Sequence, residues 1–136
     1  MQFPATRPKK VLPERHSIFL LLMHGSEILL EKRVSHGIWG GLWCPPQLDE
    51  MRDIDAYCAQ HSAVEAKQAV GLPAFTHTFT HFKLHITPLL MQVIRKPDQV
   101  QEPGKVWLDT EEALRAAIPA PVRKLLQEVR VRRILT

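Results

Sequence analysis

The run from Phe75 to Phe82 contains the side chains best suited to recognising a ligand. Its order is Phe75-Thr76-His77-Thr78-Phe79-Thr80-His81-Phe82, so rings and imidazoles alternate with hydroxyls. Aromatic rings stack on nucleic-acid bases, and neighbouring hydroxyls can hydrogen-bond to base edges. A sheet with half-buried aromatic residues and surface histidines explains the same alternation, so the pattern alone leaves both interpretations open.

Histidine spacing in this region raises a metal site as an alternative. His77, His81 and His85 are four residues apart, which would place them on one face of a helix. The threonine and phenylalanine content favours strands instead, and no carboxylate lies among the histidines. We therefore expect a strand region and no metal site.

A second distinctive segment runs from Gly37 to Trp43, with the order Gly-Ile-Trp-Gly-Gly-Leu-Trp. Glycines allow backbone N–H groups to approach an anion, so a phosphate cradle is one interpretation. The other is a tight turn whose tryptophans seal the core. The segment is not a P-loop, because no Gly-Lys-Ser/Thr follows it.

Strand pairs must position these segments. His16–Met23 and Glu27–Lys32 are apolar runs joined across Gly25-Ser26, which predicts a hairpin. In the stretch 74–94 the phase of the large apolar residues changes near His81. That change predicts a second hairpin with its tip near residues 79–82.

Helices and short strands complete the predicted elements. Asp53–His61 predicts a helix with Asp53 as N-cap and with Ile54, Tyr57 and Cys58 on one face. The polar stretch to Val70 predicts its extension or a second helix. Val106–Leu108 predicts a strand. Thr110 predicts the cap of a helix over 111–117, and Pro121 predicts the start of a last helix through Val131. The total of about five or six strands and three helices indicates an α+β domain.

Composition limits the class of protein. The 136 residues suit one domain, and 45% hydrophobic residues suffice for a core. No apolar run is long enough to span a bilayer. The two cysteines do not have metal-ligand spacing, and an iron–sulfur cluster would need about four. The net charge of +4 permits contact with nucleic acid without establishing it.

The segments described so far resemble, in order and spacing, the C-terminal domain of the A/G-specific adenine DNA glycosylases, the MutY family. The similarity runs from about Leu12 to Arg130. The matching segments are Leu12-Pro13-Glu14-Arg15, Leu29-Leu30-Glu31-Lys32-Arg33, Gly37-Ile38-Trp39-Gly40-Gly41-Leu42-Trp43, Leu72-Pro73-Ala74-Phe75, His77-Thr78-Phe79-Thr80-His81-Phe82 and Ala120-Pro121-Val122-Arg123-Lys124-Leu125-Leu126, with Leu84, Ile86 and Pro88 between the last two.

The resemblance implies a Nudix-like fold, a mixed sheet flanked by helices. Residues 1–14 would be an interdomain linker, and residues 15–136 would recognise 8-oxoguanine. In the family, the catalytic acids and a 4Fe-4S cluster belong to an N-terminal glycosylase domain. We therefore expect a monomeric fragment of the bacterial cytosol and nucleoid, with no catalytic residue, metal or cofactor of its own. Its expected partners are double-stranded DNA containing 8-oxoguanine opposite adenine and the N-terminal domain of the same chain.

The family recognises 8-oxoguanine with a Phe-Ser-His loop, which matches Phe79, Thr80 and His81 here. Threonine keeps the hydroxyl and adds a methyl that stiffens χ1. The resemblance implies that Thr80 bonds to the altered edge of the base, that Phe79 supports the loop or wedges near the base, and that His81 orients the base or touches phosphate. Pro45 is a second departure, since the family often has Phe there.

Two other functions are alternatives. Nudix hydrolases carry G-x5-E-x7-R-E-U-x-E-E-x-G-U, where U is a bulky aliphatic residue and the glutamates hold magnesium. Counted without gaps from Trp43-Cys44-Pro45-Pro46, the R-E-U-x-E-E window falls near residues 62–67, where Glu65 is the one glutamate. A protein-interaction module for repair partners is the third class. Arg33, Lys83 and Lys105 are possible phosphate contacts that the sequence does not rank.

Overall fold

A computed structural model describes residues 11–61, 65–66, 70–95 and 103–135. Within them the expected α+β class is confirmed, with more strands than the five or six predicted. The strands are β1 (Glu14–His24), β2 (Glu27–Lys32), β3 (Trp43–Cys44), β4 (Gln47–Leu48), β5 (Glu65–Ala66), β6 (Val70–Gly71), β7 (Phe75–Thr78), β8 (Lys83–Arg95) and β9 (Lys105–Asp109). The helices are α1 (Asp53–His61), α2 (Thr110–Ala113) and α3 (Ala120–Leu135).

The sheet is built around β1, which lies between β2 and β8. β1 pairs with β8 in parallel, from Glu14↔Lys83 to Met23↔Gln92, and with β2 in antiparallel fashion. β9 lies on the other side of β2, and β7 pairs with β8. Because both faces of the β1 centre are covered, its residues from 18 to 23 are all buried, which explains the continuous apolar run.

Helices cover the two faces of the sheet, and the alternation of side chains along β1 separates two cores. On one side, here called the α3 face, Phe19 and Leu21 pack in a cluster with Leu125 and Leu126 of α3. On the other side, the α1 face, Ile18, Leu20 and Leu22 pack in a cluster with three residues of α1. Those three are Ile54, Tyr57 and Cys58, which confirms the predicted buried face of that helix.

The bounds of α1 agree with the prediction, but two details do not. The Asp53 carboxylate accepts a hydrogen bond from the N–H of Glu50, outside the helix, at 3.2 Å, so it does not cap the first turn. The expected helical continuation is also wrong where the structure describes it. Glu65–Ala66 and Val70–Gly71 are short strands paired with β8, because the long β8 offers open backbone groups that these segments satisfy.

At α2 the structure corrects the predicted cap and length. Asp109 is the N-cap, and its carboxylate accepts from the N–H of Glu111 at 3.0 Å. The Thr110 hydroxyl instead donates to the carbonyl of Ser26 at 2.7 Å, which ties α2 to the β1–β2 turn. α2 ends at Ala113, four residues before the predicted end.

The last helix is confirmed and extends beyond the predicted Val131, to Leu135. Among the described residues, none of the helices is long and apolar enough to cross a membrane. Most of the predicted linker, residues 1–10, lies outside the described residues, and β1 begins at Glu14. The boundary between linker and domain therefore stays a prediction.

Candidate nucleic-acid interface

The hairpin of β7 and β8 presents Thr80 and His81 at its tip. The strands pair in antiparallel register from Phe75↔Ile86 to Thr78↔Lys83. Beyond that pair, the N–H of Phe79 donates to the carbonyl of Phe82 at 2.8 Å. Thr80 and His81 are thus a two-residue connection with exposed side chains, and the predicted position of the tip is confirmed.

Phe79 does not project from the tip but packs beneath it on the α3 face. Its ring stacks on Phe82 at 4.6 Å with 18° between the planes, and it meets His77 edge-on at 4.6 Å. Trp39 contacts the same ring at 5.3 Å. These four residues are called the aromatic cluster below. Between the two roles that the resemblance allowed for Phe79, this geometry fits support of the loop.

The glycine-rich loop supplies Trp39 to the aromatic cluster. Trp39 has a left-handed backbone, with φ of 53°, and its ring also meets Phe19 edge-on at 6.0 Å. Gly40 lies against Ser35, and a Cβ there would collide with the Ser35 carbonyl. Close packing, and not only a turn, therefore requires glycine at this position.

Backbone hydrogen bonds inside this loop decide between its two interpretations. The N–H groups of Gly37, Gly40 and Gly41 donate to carbonyls of residues 34, 37 and 33, at 3.3, 3.1 and 3.0 Å. They are thus directed inward and do not form an anion cradle. Trp39 and Trp43 both pack against the core of the α3 face. The structure supports the tight turn in which tryptophans seal the core.

The α1 face of the hairpin carries a chain of polar contacts. The Thr76 hydroxyl lies 2.7 Å from Nδ1 of His85, and Nε2 of His85 lies 2.6 Å from a carboxylate oxygen of Glu14. A neutral imidazole satisfies both contacts if Nε2–H donates to Glu14 and Nδ1 accepts from Thr76. His16 stacks on the His85 ring at 4.8 Å. The hydrogen bond from His85 is the main cause that lowers the pKa of the exposed Glu14 carboxyl, and the positive charge of the imidazole, when it is protonated, lowers that pKa further.

The three histidines considered as metal ligands do not converge. In the register of the hairpin, His77 pairs with Leu84 while His85 pairs with Thr76, so His77 and His85 lie on opposite faces. His81 is at the exposed tip. Over the described ranges, no three residues among histidines, cysteines and acids are grouped so that they could hold a metal ion.

The three cations named from the sequence as possible phosphate contacts, Arg33, Lys83 and Lys105, have different surroundings in the structure. Lys105 contacts Glu31 at 3.4 Å and lies over the Tyr57 ring, with 12% of its side chain exposed. Arg33 is directed to the Ile38 carbonyl at 3.5 Å. Lys83, in contrast, is exposed beside the tip.

Arg15 is not among the phosphate contacts predicted from the sequence, and its guanidinium lies 4.4 Å from the centre of the Phe82 ring. This contact depends on the parallel pairing of β1 with β8, across almost seventy residues of chain. No local pattern around Arg15 indicates it.

Two cavities lie away from the tip. One of about 250 Å³ lies between β7 and the start of α3. Its lining residues are Phe75, Thr76, His77, Ala120, Pro121 and Lys124. The other, about 310 Å³, lies beside α1 and includes Asp49, Asp53 and Tyr57 in its lining. Magnesium in a Nudix hydrolase is held by several glutamates of the motif given above. Glu65 is the one glutamate of the corresponding window, and it lies in β5.

Comparison with known proteins identifies the family of the chain. The sequence profile of the NUDIX domain family matches residues 17–128, so the chain belongs to that family. Among curated proteins, the adenine DNA glycosylase of Buchnera aphidicola subsp. Schizaphis graminum (strain Sg) is 27% identical over 128 residues. That alignment covers 93% of this chain and 37% of the relative. The chain spans about a third of the length of the curated glycosylases that it matches, at 37, 36 and 34%.

Solved structures share the fold. The C-terminal domain of mouse MUTYH, solved in complex with human PCNA, has a TM-score of 0.73 at 20% identity, over 87% of this chain and 88% of that one. The NUDIX domain of Shewanella oneidensis NrtR, solved with ADP ribose, has a TM-score of 0.65 at 17% identity, over 97 and 96%. The Nudix-like fold is therefore confirmed, as is the resemblance to the C-terminal domain of the MutY family.

Proposed function

We propose that this chain is the lesion-recognition domain of an adenine DNA glycosylase, acting in base excision repair on 8-oxoguanine opposite adenine. The observation that carries the proposal is the exposed Thr80–His81 tip, fixed from below by the aromatic cluster. The similarity to adenine DNA glycosylases over a third of their length supports it. In this proposal, cleavage of the adenine glycosidic bond, the catalytic acids and the 4Fe-4S cluster belong to a separate N-terminal domain.

The chemistry of the lesion matches a hydroxyl. Guanine presents N7 as an acceptor in the major groove. Oxidation at C8 places a hydrogen on N7 and an oxygen on C8, so this edge then offers one donor and one acceptor. The Thr80 hydroxyl can accept from N7–H and donate to the C8 oxygen. An undamaged guanine leaves that pairing mismatched, at a cost of about 1–3 kcal/mol.

Rigidity of the tip makes this discrimination effective. The Phe79–Phe82 hydrogen bond fixes the two-residue connection, and the ring of Phe79 is held by Trp39, His77 and Phe82. A preorganised loop loses less conformational entropy on binding than a free one. The β-branched Thr80 has a further restricted χ1, which limits the directions of its hydroxyl. His81 is exposed beside it, and in this proposal it orients the base or contacts phosphate.

A substitution that removes only the hydroxyl tests this role. Thr80→Val retains the branched shape, and Thr78→Val is a matched control one residue pair below the tip, where the side chain is also exposed. Fluorescence anisotropy at low salt would compare duplexes containing 8-oxoguanine or guanine opposite adenine. We expect Thr80→Val to reduce the preference for the lesion by roughly 5- to 150-fold, the equivalent of 1–3 kcal/mol. Thr78→Val should leave that preference unchanged.

Two results would refute this assignment. If Thr80→Val weakens binding to both duplexes equally, the hydroxyl contributes to general affinity and not to recognition of the lesion. If the wild-type domain binds both duplexes equally, the domain does not distinguish the lesion on its own.

An interaction module for repair proteins is the second candidate. The observation that favours it is the fold shared with the mouse MUTYH C-terminal domain, which was solved with PCNA. Pull-down of a sliding clamp by the wild-type chain and by a variant with Phe79, Thr80 and His81 all changed to alanine separates the two functions. Capture that survives these changes places an interaction surface away from the tip, whereas no capture by either protein removes this candidate.

Pyrophosphate hydrolysis is outside the proposal. The glutamate of the sequence window, Glu65, is in a strand and pairs with Arg95 of β8 in the sheet register. Incubation of the chain with magnesium and nucleoside diphosphate derivatives should therefore release no product. Turnover that depends on Glu65 would overturn this expectation.

A further inference from the structure

We propose that Arg15 and Lys83 bind DNA phosphates on the two sides of the hairpin tip, as a phosphate clamp. The proposal rests on the proposed function in taking duplex DNA as the partner, and it does not depend on recognition of 8-oxoguanine. Lys83 is one of the three possible phosphate contacts named from the sequence, and Arg15 is a further one that the structure adds.

The register of the sheet places the two cations on opposite faces. In the parallel pair, Glu14 is opposite Lys83 and Arg15 is opposite Leu84. Successive side chains along a strand alternate between faces, so Arg15 lies on the α3 face and Lys83 on the α1 face. Lys83 also pairs with Thr78 across the hairpin, one residue pair below the Phe79–Phe82 closure.

This placement suits a duplex groove. The major groove of DNA admits a two-stranded β-ribbon and is bounded on each side by a sugar–phosphate backbone, here called a phosphate chain. A hairpin that enters the groove by its tip therefore has one phosphate chain next to each of its faces. Lys83 lies one residue pair behind the Phe79–Phe82 closure on one face, and the Arg15 guanidinium lies over Phe82 on the other, so each cation is near the path of one of those chains. Phosphate contacts of this kind fix the orientation of the protein without adding sequence preference.

Both side chains remain available for phosphate. Arg15 is exposed, and the contact that orders it is the stacking of its guanidinium over Phe82 at 4.4 Å. Stacking occupies the flat side of a guanidinium and leaves its N–H edge for hydrogen bonds. Lys83 is exposed, and its charge acts on Glu14, whose carboxylate is already engaged by His85 at 2.6 Å.

Three of the other cations in the described part of the chain contact carboxylates of the fold. Lys105 is paired with Glu31, and Arg130 contacts the Glu111 carboxylate at 3.0 Å. Arg52, far along the chain in the turn before α1, pairs with Glu50. Arg52 has a side chain that is 81% exposed, so it is a suitable control for loss of one exposed positive charge.

The salt dependence of binding tests the clamp. The variants are Arg15→Gln, Lys83→Gln, the double variant and the control Arg52→Gln, each titrated with undamaged duplex at several salt concentrations. Each phosphate contact contributes about 0.9 to the slope of log affinity against log salt. We expect each single variant to lower the slope by about 0.9, the double variant by about 1.8, and Arg52→Gln to leave it at the wild-type value.

One further variant separates a phosphate contact from loss of the Phe82 stacking. Arg15→Lys keeps the charge and weakens the planar stacking, so it should retain a salt slope close to wild type. If Arg15→Lys lowers the slope as much as Arg15→Gln, the effect comes from altered structure of the tip and the clamp is refuted at Arg15. Equal slopes for wild type, Arg15→Gln and Lys83→Gln would refute the whole clamp.

The same titrations with the 8-oxoguanine duplex distinguish this proposal from the proposed function. If the clamp variants lower the slope on both duplexes while wild type shows no preference for the lesion, the clamp stands and lesion recognition fails. If wild type prefers the lesion and the clamp variants have unchanged slopes, lesion recognition stands and the clamp fails.

Discussion

Trp39 combines close packing with a backbone conformation that only glycine adopts freely, and the two contributions can be measured separately. Its φ is 53°, in the left-handed region, where an L-residue is strained by about 1–2 kcal/mol. Its ring contacts Phe19, His77 and Phe79 at 6.0, 5.8 and 5.3 Å. Removal of a fully buried tryptophan costs about 3–5 kcal/mol. Because Trp39 is partly exposed, we expect Trp39→Ala to cost about 3 kcal/mol, at the lower end of that range.

The difference between Trp39→Ala and Trp39→Gly isolates the strain. At an ordinary position glycine is about 0.5–1 kcal/mol less stable than alanine, because the unfolded chain gains conformational freedom. At Trp39, glycine alone releases the strain of about 1–2 kcal/mol, which exceeds that entropic loss. Trp39→Gly should therefore be more stable than Trp39→Ala by about 0.5–1 kcal/mol, the reverse of the usual order.

Urea unfolding followed by circular dichroism measures this difference, provided that the two variants have equal m-values. Gln127 in the exposed part of α3 is the control position, where the alanine variant should be more stable than the glycine variant by about 1 kcal/mol. The usual order at both positions would refute the claim that a strained loop carries Trp39 to the aromatic cluster.

Three further predictions concern single sites. Burial raises the pKa of the Cys44 thiol to about 12, so the native chain at pH 8 should be alkylated at Cys44 by iodoacetamide far more slowly than the urea-unfolded chain. Equal rates would contradict this burial. Gly40→Ala should destabilise the fold by about 2 kcal/mol or more in urea unfolding, because its Cβ meets the rigid Ser35 carbonyl. A stability equal to wild type would show that the loop relaxes freely. His85 lowers the pKa of Glu14, so the folded state favours the carboxylate, and the resulting stabilisation is present above the ordinary pKa of Glu14. This stabilisation is lost as pH falls through the lowered pKa of Glu14. The difference in urea midpoint between wild type and Glu14→Gln should therefore shrink in acid. A difference that grows in acid would contradict the lowered pKa.

Local patterns were sufficient for the elements next to the site. Alternation of large and small residues located the β7–β8 hairpin and its tip, because residues 75–86 pair with their own neighbours in sequence. The apolar spacing of α1 likewise identified Ile54, Tyr57 and Cys58 as a buried face. These predictions depend on the alternation or helical period of one segment, which the sequence shows directly.

Features that depend on distant partners could not be predicted in this way. Thr110 has the residue type of a cap, but its hydroxyl bonds to the Ser26 carbonyl, eighty-four residues away in sequence, so the preceding Asp109 caps α2 instead. Glu65 lies in a polar segment typical of a helix, but its backbone pairs with β8, so the segment is a strand. The position of Arg15 over Phe82 also follows from the β1–β8 pairing, which no local pattern indicates.

Recognition of 8-oxoguanine by the hairpin tip can be tested by NMR titration of the labelled domain. Two duplexes, identical except for 8-oxoguanine opposite adenine or guanine opposite cytosine, would be added at the same low salt, since salt alone changes DNA affinity strongly. We expect shifts centred on Phe79, Thr80 and His81 that are larger with the lesion. Equal and diffuse shifts with both duplexes, located at the arginines and lysines near the two ends of the sequence, would show that the tip does not recognise the lesion.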